Sequence, residues 1–327
     1  MTAIGAAQAA GMSQTKAAQV LGLSVRTLER WQQAPQNPRH RGNPRPWNAL
    51  LPEERAIVAE VVARRDCADL SCRGLSFWVL EHSGRSISPV AFWRSLKCRD
   101  ASQARLRRVR CPGGTRPDTQ FAQQPNELWC WDITHLRTTV PWQFFYLYVL
   151  LDWVSRKAVA WHLAESLNSS EVLTLWDRGI EHEHLLELPK RLYPRSLSDR
   201  GTQMRSQLTR RFFSRTGIEP LYARPRTPND NPEIEAFFST LKGRPDYPGR
   251  FESFEHARAW CEGFFRWYND QHHHRGIGYV TPSQRHAGLH GEILAQRAAL
   301  KATCLAERRE FNRTQADIPA TEATSLA

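Results

Sequence analysis

The feature that most constrains the fold is an almost uninterrupted apolar run, QFFYLYVLLDWVS, between Gln143 and Ser155. Such a run is typical of a strand buried on both faces of a sheet. The segments ELWCWDITHLR before it and KAVAWHLA after it read as two more strands. Further predicted elements follow: a helix over about Ser169–Glu183, a strand over Arg195–Ser198, and helices over about Gln203–Arg215 and Pro232–Lys242. This order predicts an α/β core over residues 121–288, with a strand meander at one edge.

Three carboxylates lie on separate elements of this predicted core. Asp132 is inside the first strand, Asp199 ends a later strand, and Glu235 is on a helix, with 66 and 35 residues between successive members. Phosphodiester chemistry explains such a grouping, because two cations ~3.5–4 Å apart activate the attacking oxygen and stabilise the leaving one. Mg²⁺ prefers oxygen ligands. The three acids therefore predict a site for two Mg²⁺ or Mn²⁺ ions, with Asp132, Asp199 and Glu235 as catalytic ligands.

The helix around Glu235 supports that prediction. Asn231 suits the N-cap position and Pro232 the first helical position. Ile234, Phe237, Phe238 and Leu241 form its buried stripe. Glu235 flanks this stripe, and Lys242, seven residues on, lies nearly in line with it. An acid with a cation one or two helical turns further along suits a metal site beside a DNA phosphate. The alternative is that Glu235 and Lys242 form an ordinary charged pair on the protein surface.

The first 33 residues contain SQTKAAQVLGLSVRTLERWQ, two short helices around a glycine turn. Ser13 and Ser24 can cap them. This is the helix-turn-helix pattern, and the second helix, about Ser24–Gln32, would present Arg26, Thr27 and Arg30 to a major groove. A plain helical hairpin is the alternative.

Residues 34–49 read as a Pro-, Asn- and Arg-rich linker. Residues 50–97 predict a second helical unit of helix-turn-helix or winged type, with Pro89 opening its last helix. Residues 98–120 form a basic linker in which Arg107 and Arg108 are candidate phosphate contacts, a solvated charge run being the alternative. Residues 289–327 are expected to be helical and then disordered.

Charge points to a polyanionic partner. Lys and Arg number 45 against 33 Asp and Glu, a net charge of +12. Nucleic acid is the commonest partner of such a chain. The seven cysteines have irregular spacing without a CxxC pair, which argues against a zinc knuckle or a disulfide framework. With no signal-peptide pattern and no membrane-length apolar run, we expect a cytoplasmic protein without a membrane partner.

Four blocks of this chain, in order, resemble a known family. They are WDIT at Asp132, SDRGTQ at Asp199, NDNPEIEAFFSTLK at Glu235, and WYNDQHHHRGIGYVTP from Trp267 to Pro282. Together they are similar to bacterial insertion-sequence transposases with a retroviral-integrase-type catalytic core. Any one block alone would be weak evidence for this resemblance, but the four blocks in this order are specific evidence for it.

The resemblance implies an α/β, RNase H-like core with a mixed sheet, preceded by all-α helix-turn-helix DNA-binding units. It also implies a metal-dependent polynucleotidyl transferase that cuts 3′ ends and joins them to target DNA. The expected partners are DNA, as terminal inverted repeats and target, and further copies of the chain in a homodimer or higher oligomer. Arg200, Lys242 and Arg275 would contact DNA. Arg200 stands where many relatives have Asn, and the zinc module of retroviral integrases is absent from the sequence.

Two questions stay open at the level of sequence. Asp152 competes with Asp132 for the role of first acid, and we interpret it as a turn or site-edge acid because three acids suffice for two metals. Two other functions fit parts of the sequence: a DNA-binding regulator with a vestigial core, and an RNase H-type nuclease that never joins strands.

Overall fold

The computed structural model describes residues 11–20, 22, 24–26, 29, 46–98, 122–223 and 231–316. The chain divides into two compact units. One comprises Met1–Leu51 with Leu305–Ala327, and the other comprises Pro52–Cys304. The domain boundaries drawn from the sequence stay predictions. Of the predicted DNA contacts, Thr27, Arg30, Arg107 and Arg108 lie outside the described residues.

In the first unit, helix α1 spans Gln14–Val20, and Arg26 is exposed beyond it. Ser13 Oγ accepts from the Lys16 amide at 3.4 Å, as expected of a capping serine. The second predicted helix of the motif is described only in part. The helix-turn-helix therefore stays a prediction.

The second unit begins with three helices: α2 (Pro52–Ala63), α3 (Cys72–Ser83) and α4 (Pro89–Cys98). Ser71 caps α3 by accepting from the Gly74 amide at 3.1 Å, and the left-handed Gly84 ends it. Pro89 opens α4, as predicted, because proline fits a first helical position, where its missing N–H has no partner to lose.

A five-stranded mixed sheet forms the centre of this unit. Its strands are β1 (Leu128–Arg137), β2 (Phe144–Asp152), β3 (Ala158–Ala164), β4 (Arg195–Ser198) and β5 (Pro220–Tyr222). Their spatial order is β3-β2-β1-β4-β5. β1, β2 and β3 form an antiparallel meander, and β4 and β5 continue the sheet in parallel with β1. This is the predicted RNase H-like α/β class. The three-residue β5 has no counterpart among the predicted elements.

Helices cover both faces of the sheet. Helices α5 (Ser169–His182) and α6 (Gln207–Thr216) lie on one face, and α7 (Pro232–Lys242) and α8 (Phe254–Asp270) lie on the other. Helices α9 (Pro282–His286) and α10 (His290–Ala316) follow α8 in the chain. No helix in the described part of the chain has the length and apolarity that crossing a bilayer requires.

The alternation of β1 determines what each face contacts, because successive side chains of a strand point to opposite sides. Leu128, Cys130 and Leu136 share one core cluster with residues of α7 and α8. Trp129 and Trp131 belong to the other cluster, with residues of α5 and α6. Asp132 and Thr134 therefore lie on the α7–α8 face of the strand. This face is the one that positions the candidate site.

Helix α5 packs closely on the opposite face. A Cβ atom at Gly179 would come within 2.6 Å of Leu150 Cδ2 and 3.1 Å of Trp129 Cζ3. Only glycine permits that approach without displacing buried side chains. Trp176 of the same helix is fully buried and packs on Phe213 of α6 at 5.0 Å between ring centroids. The sheet is thus fixed from behind the candidate site.

The first and last parts of the second unit pack on each other. The Phe77 ring of α3 stacks on the Tyr279 ring at 4.6 Å between centroids. The Arg297 guanidinium lies 4.8 Å from the centroid of the Phe77 ring. Glu81 Oε1 accepts from Arg297 Nη2 at 2.5 Å, and Glu81 Oε2 lies 2.5 Å from His273 Nε2. The segment between α8 and α9 and the start of α10 are therefore held against α3.

Candidate active site

Asp132 lies in the middle of β1, opposite Val149 of β2. Its Oδ1 accepts from the Ile133 amide at 2.8 Å, and the residue is half-buried. Burial raises the pKa of this carboxyl to about 7; the Ile133 bond opposes the rise, and the charges of Asp199 and Glu235 add to it. Lys242 acts in the opposite direction. The first predicted acid is therefore influenced by both of the others.

Asp199 follows the last residue of β4. The parallel register pairs Cys130 with Leu197, so Asp199, just past the end of β4, comes level with Asp132 in the middle of β1. Asp199 Oδ1 accepts from the Gly201 amide at 2.9 Å, which fixes the exposed side chain at the start of the following turn.

Glu235 is on the first turn of α7, where Ile234, Phe237, Phe238 and Leu241 form the buried stripe, as predicted. Glu235 itself is exposed, and burial of part of its carboxyl raises its pKa. The expected cap is wrong in one respect: Asn231 occupies the N-cap position, but its side chain makes no capping bond. Its Oδ1 is buried without a partner.

The charges of Asp199 and Glu235 both act on the Asp132 carboxyl. Even so, nowhere in the described ranges do three or more His, Cys, Asp or Glu side chains gather closely enough to hold a metal ion. The acids come from the middle of β1, from the end of β4 and from α7, and they do not form a closed ligand shell. Their donors are hard oxygens, the type that Mg²⁺ and Mn²⁺ prefer. A cation would also offset the charges of Asp199 and Glu235, which add to the rise that burial causes in the Asp132 pKa.

Lys242 borders this site. Its Nζ donates to Thr134 Oγ1 at 2.7 Å, and Thr134 is on the same face of β1 as Asp132. Burial and the nearby Arg137 lower the Lys242 pKa, while Asp132 raises it. An ammonium group therefore lies beside the acids, where a substrate phosphate could reach it.

The other predicted DNA contacts in the described core are exposed but are not all free. Arg200 Nε donates to the Ala223 carbonyl at 3.0 Å, a bond that joins the residue after Asp199 to the residue after β5. Arg275 begins a short 3-10 turn, Arg275–Ile277, and is exposed. Both contacts stay predictions.

Asp152 is fully buried and its hydrogen bonds are those of a turn acid, as we interpreted it. Its Oδ1 accepts from the Ser155 amide and hydroxyl, both at 2.7 Å, and its Oδ2 accepts from the Asn126 amide at 2.8 Å. Because these donors take up both oxygens, Asp152 holds the β2–β3 turn together.

A buried polar network beside that turn has no counterpart in the sequence predictions. Glu183 accepts from Lys157 Nζ at 2.7 Å and from Asn126 Nδ2 at 2.9 Å, and its Oε2 lies 2.8 Å from His286 Nε2. His286 Nδ1 in turn lies 2.9 Å from Ser155 Oγ. The Ser–His–Glu order resembles a hydrolase triad, but Ser155 is fully buried and its hydroxyl donates to Asp152. The network therefore fastens α9 to the sheet.

Arg156 is a second residue that sequence reasoning did not assign. It has a left-handed backbone with φ of 65°, and its Nη2 pairs with Glu233 Oε1 at 2.8 Å. The side chains are only 11% and 12% exposed. Glu233 lies two residues before Glu235, so this pair fastens the start of α7 to the β2–β3 turn. A pair this distant in sequence leaves no signal in a single chain.

Comparison with known proteins identifies the domain that contains these residues. Residues 122–228 match the family described as "Integrase core domain", and residues 216–282 match a second family with the same description. The three acids fall within these ranges.

Several curated proteins match about half of the chain. The transposase for insertion sequence element IS904 of Lactococcus lactis is 26% identical over 49% of this chain and 61% of its own length. A transposase-like protein of Haemophilus influenzae is 28% identical over 46% of this chain and 66% of its own length. Transposase InsF for insertion sequence IS3A of Escherichia coli is 27% identical over 50% of this chain and 55% of its own length. The chain thus spans less than two thirds of the length of these relatives.

Among solved structures, the HTLV-2 integrase catalytic core domain in complex with magnesium matches with 18% identity and a TM-score of 0.35, covering 50% of this chain and 97% of that one. The catalytic domain of Mos1 mariner transposase matches with 15% identity and a TM-score of 0.38, over 55% and 83%.

Proposed function

The chain contains an integrase core domain related to those of bacterial insertion-sequence transposases, and from that relation we propose that it is a DNA transposase. It cuts the 3′ ends of a mobile element and joins them to target DNA. Both steps are phosphoryl transfers on a phosphodiester, so one set of acids serves both.

One observation carries the proposal: the charges of Asp199 and Glu235, which come from two other elements, both act on the Asp132 carboxyl. The Asp132 pKa is raised to about 7, by burial first and by both other acids in addition. Acids held near one another at a cost in electrostatic repulsion are typical of functional sites, although structural networks can also perturb a pKa.

Asp132, Asp199 and Glu235 would hold two Mg²⁺ or Mn²⁺ ions, with the two aspartates shared and Glu235 completing one ligand set. When bound, the ions would activate the attacking oxygen and stabilise the leaving one. Hard carboxylate oxygens suit such ions, and their charge would offset the repulsion among the three acids.

Basic residues around the acids would orient the DNA. Lys242, beside Asp132 and bonded to Thr134, is proposed to contact the phosphate next to the scissile one. The exposed Arg200 and Arg275 would contact phosphates further away. Arg26, Thr27 and Arg30 of the proposed helix-turn-helix would recognise the terminal inverted repeats, and Arg107 and Arg108 would follow the backbone.

Transposition brings two DNA ends together, so the proposed partners are both ends, a target duplex and at least a second copy of the chain. The proposed place of action is the cytoplasm. These partners follow from the reaction rather than from any contact within the single chain.

A strand-transfer assay tests the proposal. The full chain is incubated with Mg²⁺ or Mn²⁺, a target duplex, and duplexes of the DNA that flanks its reading frame, nicked at candidate 3′ ends. We expect joined products from the wild type and at least ~100-fold less from Asp199→Asn or Glu235→Gln, because each removes a metal ligand. Glu262→Gln is the matched control, since Glu262 is half-exposed and pairs with Arg258 on the surface.

The other outcomes separate the alternatives. Cleavage without joining would indicate a nuclease, and binding without cleavage under any divalent ion would indicate a regulator. Full strand-transfer activity of Asp199→Asn would show that Asp199 is not a metal ligand and would contradict the proposed metal site.

A further inference from the structure

The tip of the β1–β2 hairpin exposes an apolar patch formed by Val140, Pro141 and Trp142. The Trp142 side chain is 92% exposed, and Val140 is 54% exposed. Among the large hydrophobic residues that the structure describes, Trp142 is the most exposed. A lone exposed aliphatic side chain needs no explanation, but an indole held almost entirely in water suggests a missing partner.

Trp142 also occupies a backbone position that favours glycine. The Gln143 amide donates to the Val140 carbonyl at 3.3 Å across the tip, and Trp142 has φ of 67°. Pro141 precedes it, so the two occupy the central positions of a turn of type II, where proline comes first and glycine is preferred second. A left-handed backbone is a genuine outlier for a bulky residue. Folding alone would select glycine here, and the sequence has tryptophan instead.

The tip is held in a defined shape. Thr138 Oγ1 lies 3.0 Å from the Val140 carbonyl and accepts from the Val140 amide at 3.2 Å. The base of the loop is fastened to the segment before α8, because the Thr139 amide donates to the Phe251 carbonyl at 3.0 Å and the Phe251 amide donates to the Arg137 carbonyl at 2.9 Å. Phe251 itself is fully buried. The hairpin can therefore present the indole without first ordering a loop.

The hairpin extends beyond the end of β4, on the same side of the sheet's strand ends as Asp199. β1 and β4 are parallel, and β4 ends at Ser198, immediately before Asp199. β1 continues past Asp132 to Arg137, so its hairpin extends beyond the end of β4. Thr138 lies six positions after Asp132 along the extended strand, a distance of about 20 Å. That is the length of about six base pairs at 3.4 Å each.

The charge around the hairpin suits DNA. No Asp or Glu occurs between Ile133 and Leu151, whereas His135 and Arg137 lie in that span. Arg137 is close enough to Lys242 to lower its pKa. The hairpin's own residues would thus offer basic and apolar groups to a duplex that passes over the three acids and Lys242.

We propose that Val140, Pro141 and Trp142 form a wedge whose indole stacks on the bases of the DNA held at the Asp132, Asp199 and Glu235 site. The inference rests on the proposed function, since it requires that site to hold DNA. Apolar wedges partly unstack base steps and bend the duplex, and an aromatic ring stacks on any base without reading sequence.

Salt-dependent DNA binding by the full chain tests the wedge. The probe is a mixed-sequence duplex titrated at several salt concentrations without divalent ions. Trp142→Gly should weaken binding about 10-fold or more at every salt concentration and leave the slope of log K against log[salt] unchanged, because stacking releases no counterions. Arg137→Ala should instead reduce that slope by about one. Trp142→Phe, which keeps an aromatic ring, should retain most of the affinity.

Trp142→Gly also controls for folding, because glycine suits the left-handed position. We expect its melting temperature to equal or exceed that of the wild type. A variant that folds as well and binds as tightly as the wild type would overturn the wedge. So would a loss that depends on protein concentration and accompanies a change of oligomeric state, since that would make the tip an interface between copies.

The failure of the wedge can be told apart from the failure of the proposed function. If the wild type joins DNA strands and Trp142→Gly binds normally, only the wedge is wrong. If the wild type binds no duplex at all, both proposals fail together.

Discussion

At the scale of single residues, Glu183 has three polar partners and a strongly shifted pKa. Burial alone would raise the pKa of its carboxyl, but the hydrogen bonds from His286, Lys157 and Asn126 outweigh it and lower the pKa from 4.5 to about 2. A carboxyl whose folded pKa is depressed stabilises the fold above its unfolded pKa. That contribution is lost as the pH falls from 4.5 towards 2.

We predict that Glu183→Gln lowers the free energy of unfolding at pH 7 by about 3 kcal/mol, because a pKa lowered from 4.5 to about 2 corresponds to roughly that energy. The difference from the wild type should shrink as the pH falls from 4.5 to 2. Urea unfolding across this range measures it. Glu181→Gln, which removes an exposed carboxylate at the end of α5, is the control. A pH-independent difference for Glu183→Gln would contradict the electrostatic account.

At the scale of elements, the ion pair between Arg156 and Glu233 joins the β2–β3 turn to the helix that carries Glu235. Removing one member of a buried pair leaves the other charge without its partner, which costs more than the pair itself contributes. An exposed pair has water as an alternative partner.

We predict that Arg156→Met destabilises the fold by about 3 kcal/mol. Arg258→Met, which breaks the exposed pair with Glu262, should cost less than about 1 kcal/mol. The double variant Arg156→Met with Glu233→Gln should recover part of the loss, because both charges are then gone. Chemical denaturation of the four proteins measures these differences. Equal losses in the two single variants would show that the Arg156 pair does not anchor the helix.

At the scale of the whole molecule, binding of a divalent ion to the three acids should raise the melting temperature of the folded chain. An ion that binds only the folded chain raises its melting temperature by mass action. We predict that Mg²⁺ or Mn²⁺ stabilises the wild type and stabilises Asp199→Asn much less. Because the Asp132 pKa is raised to about 7, a proton competes with the ion, and the stabilisation should grow as the pH rises through 7. Calorimetry with and without the ion measures this, and equal stabilisation of both proteins would contradict it.

Much of the core could be predicted because its signals are local. The apolar run from Gln143 and the alternation around Asp132 gave the meander, and Pro232 with its stripe gave the helix of Glu235. β5 was missed because Pro220–Tyr222 is too short to show a period. The Arg156–Glu233 and Glu183–His286 contacts could not be predicted, because their members lie far apart in the chain and meet only through the fold.

The contact between Glu81 and Arg297 has a consequence for synthesis on the ribosome. The two residues are 216 positions apart. At translation rates of about 5–20 residues per second, α3 emerges roughly 10–40 s before its partner. During that interval the Phe77 ring lacks both the Tyr279 ring and the Arg297 guanidinium that later cover it. The earliest helices of this unit are thus among the last to complete their packing, and a nascent chain stalled before residue 297 would leave them open to chaperones and proteases.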